Sequence, residues 1–263
     1  MKNKWLSRNQ GLLFVLAIAL LLGSCVPQKK IKYLQSKAEE TQTQTNFENP
    51  RKFEYKIQPG DNLYIKIVSV DEKHSNMFNT MDSRYANAMQ SDAGIYLNSY
   101  TVNEEGDVDF PLIGKVHVKN FTVEEVKDEL QGSLNEYIKE SVVIVKMVNF
   151  YVTMLGEVSR PGEYKIFQDE LNIFEAISIA GDLTDFANRN EVKLVRQTKK
   201  GSEIINIDLT NRSILASDYY FLMPNDILYV EPLKGKQFTF ANFPYGIIFS
   251  AISTTLLLIN YFK

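Results

Sequence analysis

Reactive side chains are scarce in this chain. Its 263 residues include one cysteine, Cys25, and two histidines, His74 and His117. A cysteine-rich zinc site and a disulfide framework are excluded on that ground. Excess positive charge is also missing. There are 29 Lys+Arg against 32 Asp+Glu, a formal net charge of −3, so the basic footprint of nucleic-acid binding is absent. With 44% hydrophobic and 23% charged residues, the chain is neither fully disordered nor a polytopic membrane protein. No nucleophile elbow, phosphate-binding loop or metal-ligand cluster occurs. The sequence therefore reads as non-enzymatic, with no catalytic residue, no metal and no cofactor. His74 and His117 lack a His, Cys or carboxylate at ligand spacing and read as surface or satisfied histidines. Glu104, Glu105, Asp107 and Asp109 flank a glycine turn, where solvation explains them. Tyr219-Tyr220-Phe221 reads as core packing in preference to a sugar-stacking platform.

The two apolar runs lie at the ends. Lys2, Lys4 and Arg8 precede an uninterrupted stretch from Gly11 to Leu22. As a helix that stretch spans roughly 18 Å, too short for a hydrocarbon core of about 30 Å. A basic segment before a short apolar run is the layout of a secretory signal. Leu22-Gly23-Ser24-Cys25 follows and resembles a bacterial lipobox, in which the chain is cut before an acylated cysteine. Residues 1–24 read as the signal and Cys25 as the lipid attachment site. Cleavage removes three positive charges and leaves no unmodified cysteine. Val26-Pro27 after the cysteine carries no Asp, which favours the outer membrane, with the body of the chain in the periplasm. At the other end, Phe243 to Phe262 carries no charge. At 100° per residue, Gly246, Ser250, Ser253, Thr254 and Asn260 share an arc of roughly 120°. Ile248, Ile252, Leu256, Ile259 and Phe262 take the other side, and Thr255 is the exception. Periodicity alone leaves two readings open: a plain tail anchor, or a helix in a ring that turns this arc inward.

Between the ends the pattern is that of two small α+β modules. Residues 25–52 are polar and read as a tether, with Lys29, Lys30 and Lys32 beside the lipid. Residues 53–57 alternate as a strand, Gln58-Pro59-Gly60-Asp61 carries turn chemistry, and Leu63, Ile65 and Ile67 alternate again. Residues 71–99 read as an inserted excursion. Thr122 and Glu125 form a capping box, and Val126, Leu130, Leu134 and Ile138 one buried helix face. Val142 to Val148 is β-branched and reads as a strand. A second unit opens at Tyr151. A loop from Gly156 to Gly162 contains Pro161, a second capping box spans Asn172 to Glu175, and Gly181 ends the helix. Pro224-Asn225-Asp226 then turns into a last strand. The division is 53–150 and 151–233, followed by a linker and C-terminal helix over 234–263.

Two segments resemble a known family. Tyr55-Lys56-Ile57-Gln58-Pro59-Gly60-Asp61 is similar to the opening of bacterial polysaccharide export proteins, and Gly106, Phe110-Pro111 and Ile113-Gly114 to a later stretch of the same domain. Gly156-Glu157-Val158, Arg160-Pro161-Gly162 and Gly181 resemble the soluble-ligand-binding β-grasp module that follows it. The chain is thus similar to the Wza-like outer-membrane polysaccharide export lipoproteins. That resemblance implies a periplasmic ring of protomers whose C-terminal amphipathic helices form a membrane-spanning barrel. It favours a lumen for the arc at Gly246, Ser250, Ser253, Thr254 and Asn260. It implies capsular or extracellular polysaccharide as the transported substrate and an inner-membrane polysaccharide co-polymerase or tyrosine kinase as partner. One β-grasp module is visible where the best-known member has two. The competing expectation is a lipid-tethered periplasmic module that binds glycan or a partner without forming a pore.

Overall fold

The computed structural model describes residues 31–36, 46–47, 55–71, 75, 77–79, 91–198, 201–234 and 245–261. The signal, Cys25, Lys29, Lys30 and His74 lie outside them. Two α+β units are present, each with its own core.

In the first unit, β1 (Asn62–Ser69) is the centre of a three-stranded antiparallel sheet, between β2 (Tyr100–Thr101) and β5 (Ser141–Met147). A short helix α1 (Asp92–Leu97) precedes β2. A hairpin of β3 (Asp107–Phe110) and β4 (Gly114–His117) follows. Helix α2 (Val123–Leu134) starts at the expected capping box. The Thr122 hydroxyl accepts from the Glu125 N–H at 3.1 Å, and the Glu125 carboxylate accepts from the Thr122 N–H at 2.6 Å. Two of the orphan donors at the helix start are thereby satisfied. Its face of Val126, Leu130 and Leu134 packs with Ile65, Ile67, Val143 and Val145. The helix stops at Leu134, but the next turn continues through the Ile138 N–H to the Leu134 carbonyl, so Ile138 still reaches the core.

Residues 55–58 are not a strand. Ile57 instead exchanges backbone hydrogen bonds with Asn120 and Phe121 ahead of α2, which buries its side chain without a ladder. Of the excursion at 71–99, Phe78 is buried and Asn79 is bonded to β1. Its side-chain amide accepts from the Ile67 N–H and donates to the Ile67 carbonyl, both at 2.9 Å. One side chain thus satisfies a stretch of β1 that β2 is too short to cover.

The second unit is a five-stranded sheet in the order β7-β6-β10-β8-β9. The strands are β6 (Tyr151–Gly156), β7 (Gly162–Lys165), β8 (Ala187–Thr198), β9 (Gly201–Ile207) and β10 (Asp226–Pro232). β10 pairs parallel with β6 and antiparallel with β8. Helix α3 (Ile173–Ile179) buries Ile173, Ala176 and Ile177 against this sheet.

A last helix, α4 (Tyr245–Tyr261), has 17 residues, and none of them is buried. Among the described residues no helix is long and apolar enough to cross a membrane. The spanning segment expected over 243–262 is therefore found only as this shorter helix, with Phe243 and Phe262 outside the described residues.

Candidate functional site

Pro59-Gly60-Asp61 forms a tight turn that feeds β1. The Asp61 N–H donates to the Gln58 carbonyl at 3.1 Å, and Gly60 has φ +92°. Glycine is favoured where the third turn residue needs positive φ. The Asp61 carboxylate closes the turn by accepting from the Gln58 N–H at 2.8 Å. It also accepts from the Tyr55 hydroxyl at 3.0 Å and the Asn149 amide at 3.3 Å. Burial pushes the Asp61 carboxyl up from its ordinary value, and these donors oppose it. Asn149 further accepts from the Asn62 N–H at 3.0 Å. The motif residues Tyr55 and Asp61 are thereby fixed to the connection between the two units. Asn149 was not visible as a partner in the sequence, because it lies 88 residues away.

The hairpin residues Gly106, Pro111 and Gly114 are structural. Gly106 has φ +93°, and a Cβ there would sit 2.3 Å from the Lys119 Cβ. Pro111 lies in the β3–β4 turn, and Gly114 opens β4 with φ +88°. His117 stands opposite Asp107 in that hairpin, with Nδ1 2.7 Å from a carboxylate oxygen. Strand pairing supplies the carboxylate neighbour that linear spacing did not reveal.

In the second unit, Gly156 pairs with Val230 in the parallel ladder. Its φ is +84°, and a Cβ would fall 2.0 Å from the Val230 carbonyl oxygen. The loop that follows carries Pro161 and Gly162 and folds onto the end of α3. Arg160 donates through its N–H to the Ala180 carbonyl at 3.0 Å and through its guanidinium to the Ile179 carbonyl at 2.8 Å. A cation there complements the negative end of the helix. Gly181, at φ +81°, sits directly under Arg160 and Ser159. These residues therefore shape a loop surface and carry no reactive group.

The segment before residue 37 was expected to be a free tether, yet residues 31–36 pack on the second unit. Gln35 bridges Asn211, and the Leu34 N–H donates to the Leu209 carbonyl at 3.1 Å. Tyr33 meets Phe174 edge-on at 5.9 Å, lies under the Arg189 guanidinium at 5.1 Å and donates to Asp182 at 2.6 Å. Burial, with the Asp182 contact, pushes the Tyr33 hydroxyl up to about 12. The polar composition of the segment hid this single aromatic anchor.

A cleft of about 180 Å³ lies between the units, lined by Tyr55, Thr122 and Glu124 on one side and Phe150, Asp169 and Glu170 on the other. Lys146 reaches across it to Asp169 at 2.6 Å. Both partners are exposed, so the bridge contributes on the order of 0–1 kcal/mol. Tyr219 and Tyr220 pack against the core, with the Arg196 guanidinium 5.8 Å from the Tyr219 ring.

On α4, Gly246, Ser250, Ser253, Thr254 and Asn260 all lie on the exposed surface of the helix. The Ser250 hydroxyl donates to the Ile247 carbonyl at 2.9 Å, and the Thr254 hydroxyl to the Ser250 carbonyl at 2.8 Å. Their donors are satisfied inside the helix, while their oxygens can still accept. Among the described residues no group of three or more His, Cys, Asp or Glu is placed to hold a metal.

Comparison with known proteins adds to this geometry. Residues 49–148 match the family described as polysaccharide biosynthesis/export protein, and residues 151–208 match the SLBB domain. The chain is 26% identical over 142 residues to the EPS I polysaccharide export outer membrane protein EpsA of Ralstonia solanacearum, covering 52% of this chain and 37% of that protein. It is 29% identical over 108 residues to the protein of the same description in Ralstonia nicotianae, covering 40% of this chain and 28% of that protein. The chain thus spans only about a third of the length of these curated relatives.

Proposed function

For a chain that belongs to the polysaccharide export family, we propose a role as an outer-membrane lipoprotein that assembles into a homo-oligomeric conduit for capsular or extracellular polysaccharide. The observation that carries it is α4. A helix of 17 residues with no buried side chain leaves both its apolar and its polar side exposed among the described residues. Its apolar side of Ile248, Ile252, Leu256 and Ile259 suits lipid. Its polar arc of Gly246, Ser250, Ser253, Thr254 and Asn260 suits a hydrated lumen shared with copies of itself. The described helix is about 25 Å long, and the bacterial outer membrane is thinner than average. The charge-free residues on either side extend the run to the length of a span.

The mechanism is passive. A polar lumen lets hydrated glycan cross, and no bond is made or broken. Driving force comes from synthesis and from an inner-membrane partner, a polysaccharide co-polymerase or tyrosine kinase. Cys25 carries the lipid, and the bulk of the chain stays in the periplasm. The test is the mass of the acylated, detergent-extracted protein, with and without residues 243–263. A discrete ring whose membrane part is lost on truncation is expected. A monomer in both samples overturns the conduit and leaves a lipid-tethered binding module.

A further inference from the structure

A free tether over 25–52 would let the body of the chain stand far from its lipid. Tyr55 is 30 residues after Cys25, a reach of roughly 108 Å at about 3.6 Å per residue. The docked segment cuts that reach. Ile31 is six residues after Cys25, and such a stretch spans roughly 22 Å at most. The link to the last helix is short as well. The Leu233 N–H still bonds to the Phe186 carbonyl at 2.7 Å. Tyr245 opens α4 eleven residues after Lys234, a reach of roughly 40 Å. Both candidate links to the membrane therefore leave from the second unit.

Backbone and side chains hold the segment together. Gln35 lies beside Asn211 in a parallel bridge, and the Arg212 N–H donates to the Gln35 carbonyl at 3.2 Å. The Gln35 side-chain amide donates to the Lys32 carbonyl at 2.8 Å, closing a bend in which Leu34 has φ +53°. A bulky residue rarely takes that conformation unless its surroundings impose it. The chain meets the same edge again at Phe47, whose ring lies 6.0 Å from the Arg212 guanidinium. Tyr33 and Gln35 are half-buried against the unit, whereas Ile31, Lys32 and Leu34 are exposed. The outer side of the segment thus presents two aliphatic side chains and a cation, and Lys29 and Lys30 precede it. That chemistry suits a headgroup layer, which takes apolar stems and pairs ammonium groups with phosphate.

We infer that this segment is a strap, with Tyr33 as its buckle, that holds the 209–212 edge of the second unit against phospholipid headgroups through a six-residue leash to acylated Cys25. The partner surface is the lipid, and the element that meets it is sequence with the composition of a polar tether. The inference rests on the lipoprotein reading of Cys25 and adds where the lipid holds the body. In a ring the strap repeats in every protomer and fixes the height of the second unit over the bilayer.

The test uses the full chain in vesicles of phosphatidylethanolamine and phosphatidylglycerol doped with a headgroup-quencher lipid. Mass spectrometry of the mature N-terminus is read first. Acylation of the sole cysteine leaves Ser213→Cys as the one thiol for a fluorophore beside the strap. A flexible Gly/Ser insert of about 20 residues is placed either after Gln28, in the leash, or after Ala38, beyond the strap. The insert after Gln28 is expected to lower quenching by about twofold or more, and the insert after Ala38 to leave it at the wild-type level. The last helix is common to both chains, so it cannot produce the difference. Tyr33→Ala is expected to raise hydrogen exchange at the Leu34 and Gln35 amides about tenfold, with Tyr33→Phe closer to wild type. In the Tyr33→Ala chain the insert after Ala38 then lowers quenching too. Equal quenching in the two insert chains overturns the strap while the lipoprotein and the conduit stand. Free exchange at Leu34 and Gln35 in the acylated wild type does the same. An acylated wild type that shows no quenching overturns the lipid as the occupant. A chain without an acyl group overturns the lipid reading and the strap together.

Discussion

In the first unit a Pro-Gly-Asp turn delivers the chain into β1; in the second a Pro-Asn-Asp turn delivers it into β10. The two turns share their hydrogen bonds. The Asp61 N–H returns to the Gln58 carbonyl and the Asp226 N–H to the Met223 carbonyl, each at 3.1 Å. The Gln58 and Met223 N–H groups donate back to the two carboxylates, at 2.8 and 2.7 Å. Each turn places a residue with positive φ third, Gly60 at +92° and Asn225 at +66°. The difference lies around the carboxylates. Asp61 is held by neutral donors, Tyr55 and Asn149. Asp226 is fully buried against a bidentate Arg196, at 2.6 and 3.0 Å. One backbone device therefore serves two units, and its tolerance to change depends on what the aspartate neutralises.

Removing each carboxylate tests that difference most strongly. Asp226→Ala leaves the Arg196 guanidinium buried with the Phe221 carbonyl at 3.2 Å and the Tyr219 ring at 5.8 Å, and no counter-charge from Asp226. An uncompensated buried charge costs about 3–5 kcal/mol. Asp61→Ala strands neutral donors and costs about 1–3 kcal/mol. Hydrogen exchange at the amides of β10 and β1 separates the two losses within one full-length protein. Equal losses would mean that the surroundings of the aspartates do not matter.

Acidity gives a smaller and signed effect. Burial raises both carboxyls, but at Asp226 the Arg196 pair is the first opposing influence, where Asp61 has only neutral donors. A carboxyl raised in the folded state keeps its proton after the unfolded chain has released it. Its contribution is therefore fully present below the unfolded value, about 3.9, and is lost as pH rises toward the folded one. Exchange protection at β1 should fall over that window, and Asp61→Asn should flatten the fall. An unchanged slope in Asp61→Asn assigns the pH dependence elsewhere.

Much of the local structure can be read from the chain because its causes are local. The Thr122 and Asn172 capping boxes each bring two residues three apart into one hydrogen-bond pair. The turn chemistry at Gly60 and Asn225 is equally short-ranged. Partner choice is not. Arg196 lies 30 residues from Asp226, and Asn149 lies 88 from Asp61. The alternation of residues 53–57 matched a strand, yet the structure bonds Ile57 to the turn ahead of α2. The polar stretch before residue 37 hid Tyr33, whose importance comes from Phe174, Arg189 and Asp182 assembling around it. The arc on α4 was legible as periodicity, and its residues lie on the exposed surface of the helix.

Exchanging the third residue between the turns has the smallest expected effect and probes the backbone alone. Asn225 shows that this turn accepts asparagine at positive φ. A Cβ at Gly60 meets nothing within 4 Å, so no steric term is added. Gly60→Asn should therefore cost only a few tenths of a kcal/mol, because asparagine tolerates the left-handed region. Gly60→Val occupies the same open space but pays the β-branched penalty, about 1–2 kcal/mol. Thermal unfolding of the full chain, read beside exchange at β1, ranks the two. If Gly60→Asn lost as much as Gly60→Val, side-chain chemistry at this position would be irrelevant. The turns would then share hydrogen bonds but not the backbone shape that makes them comparable.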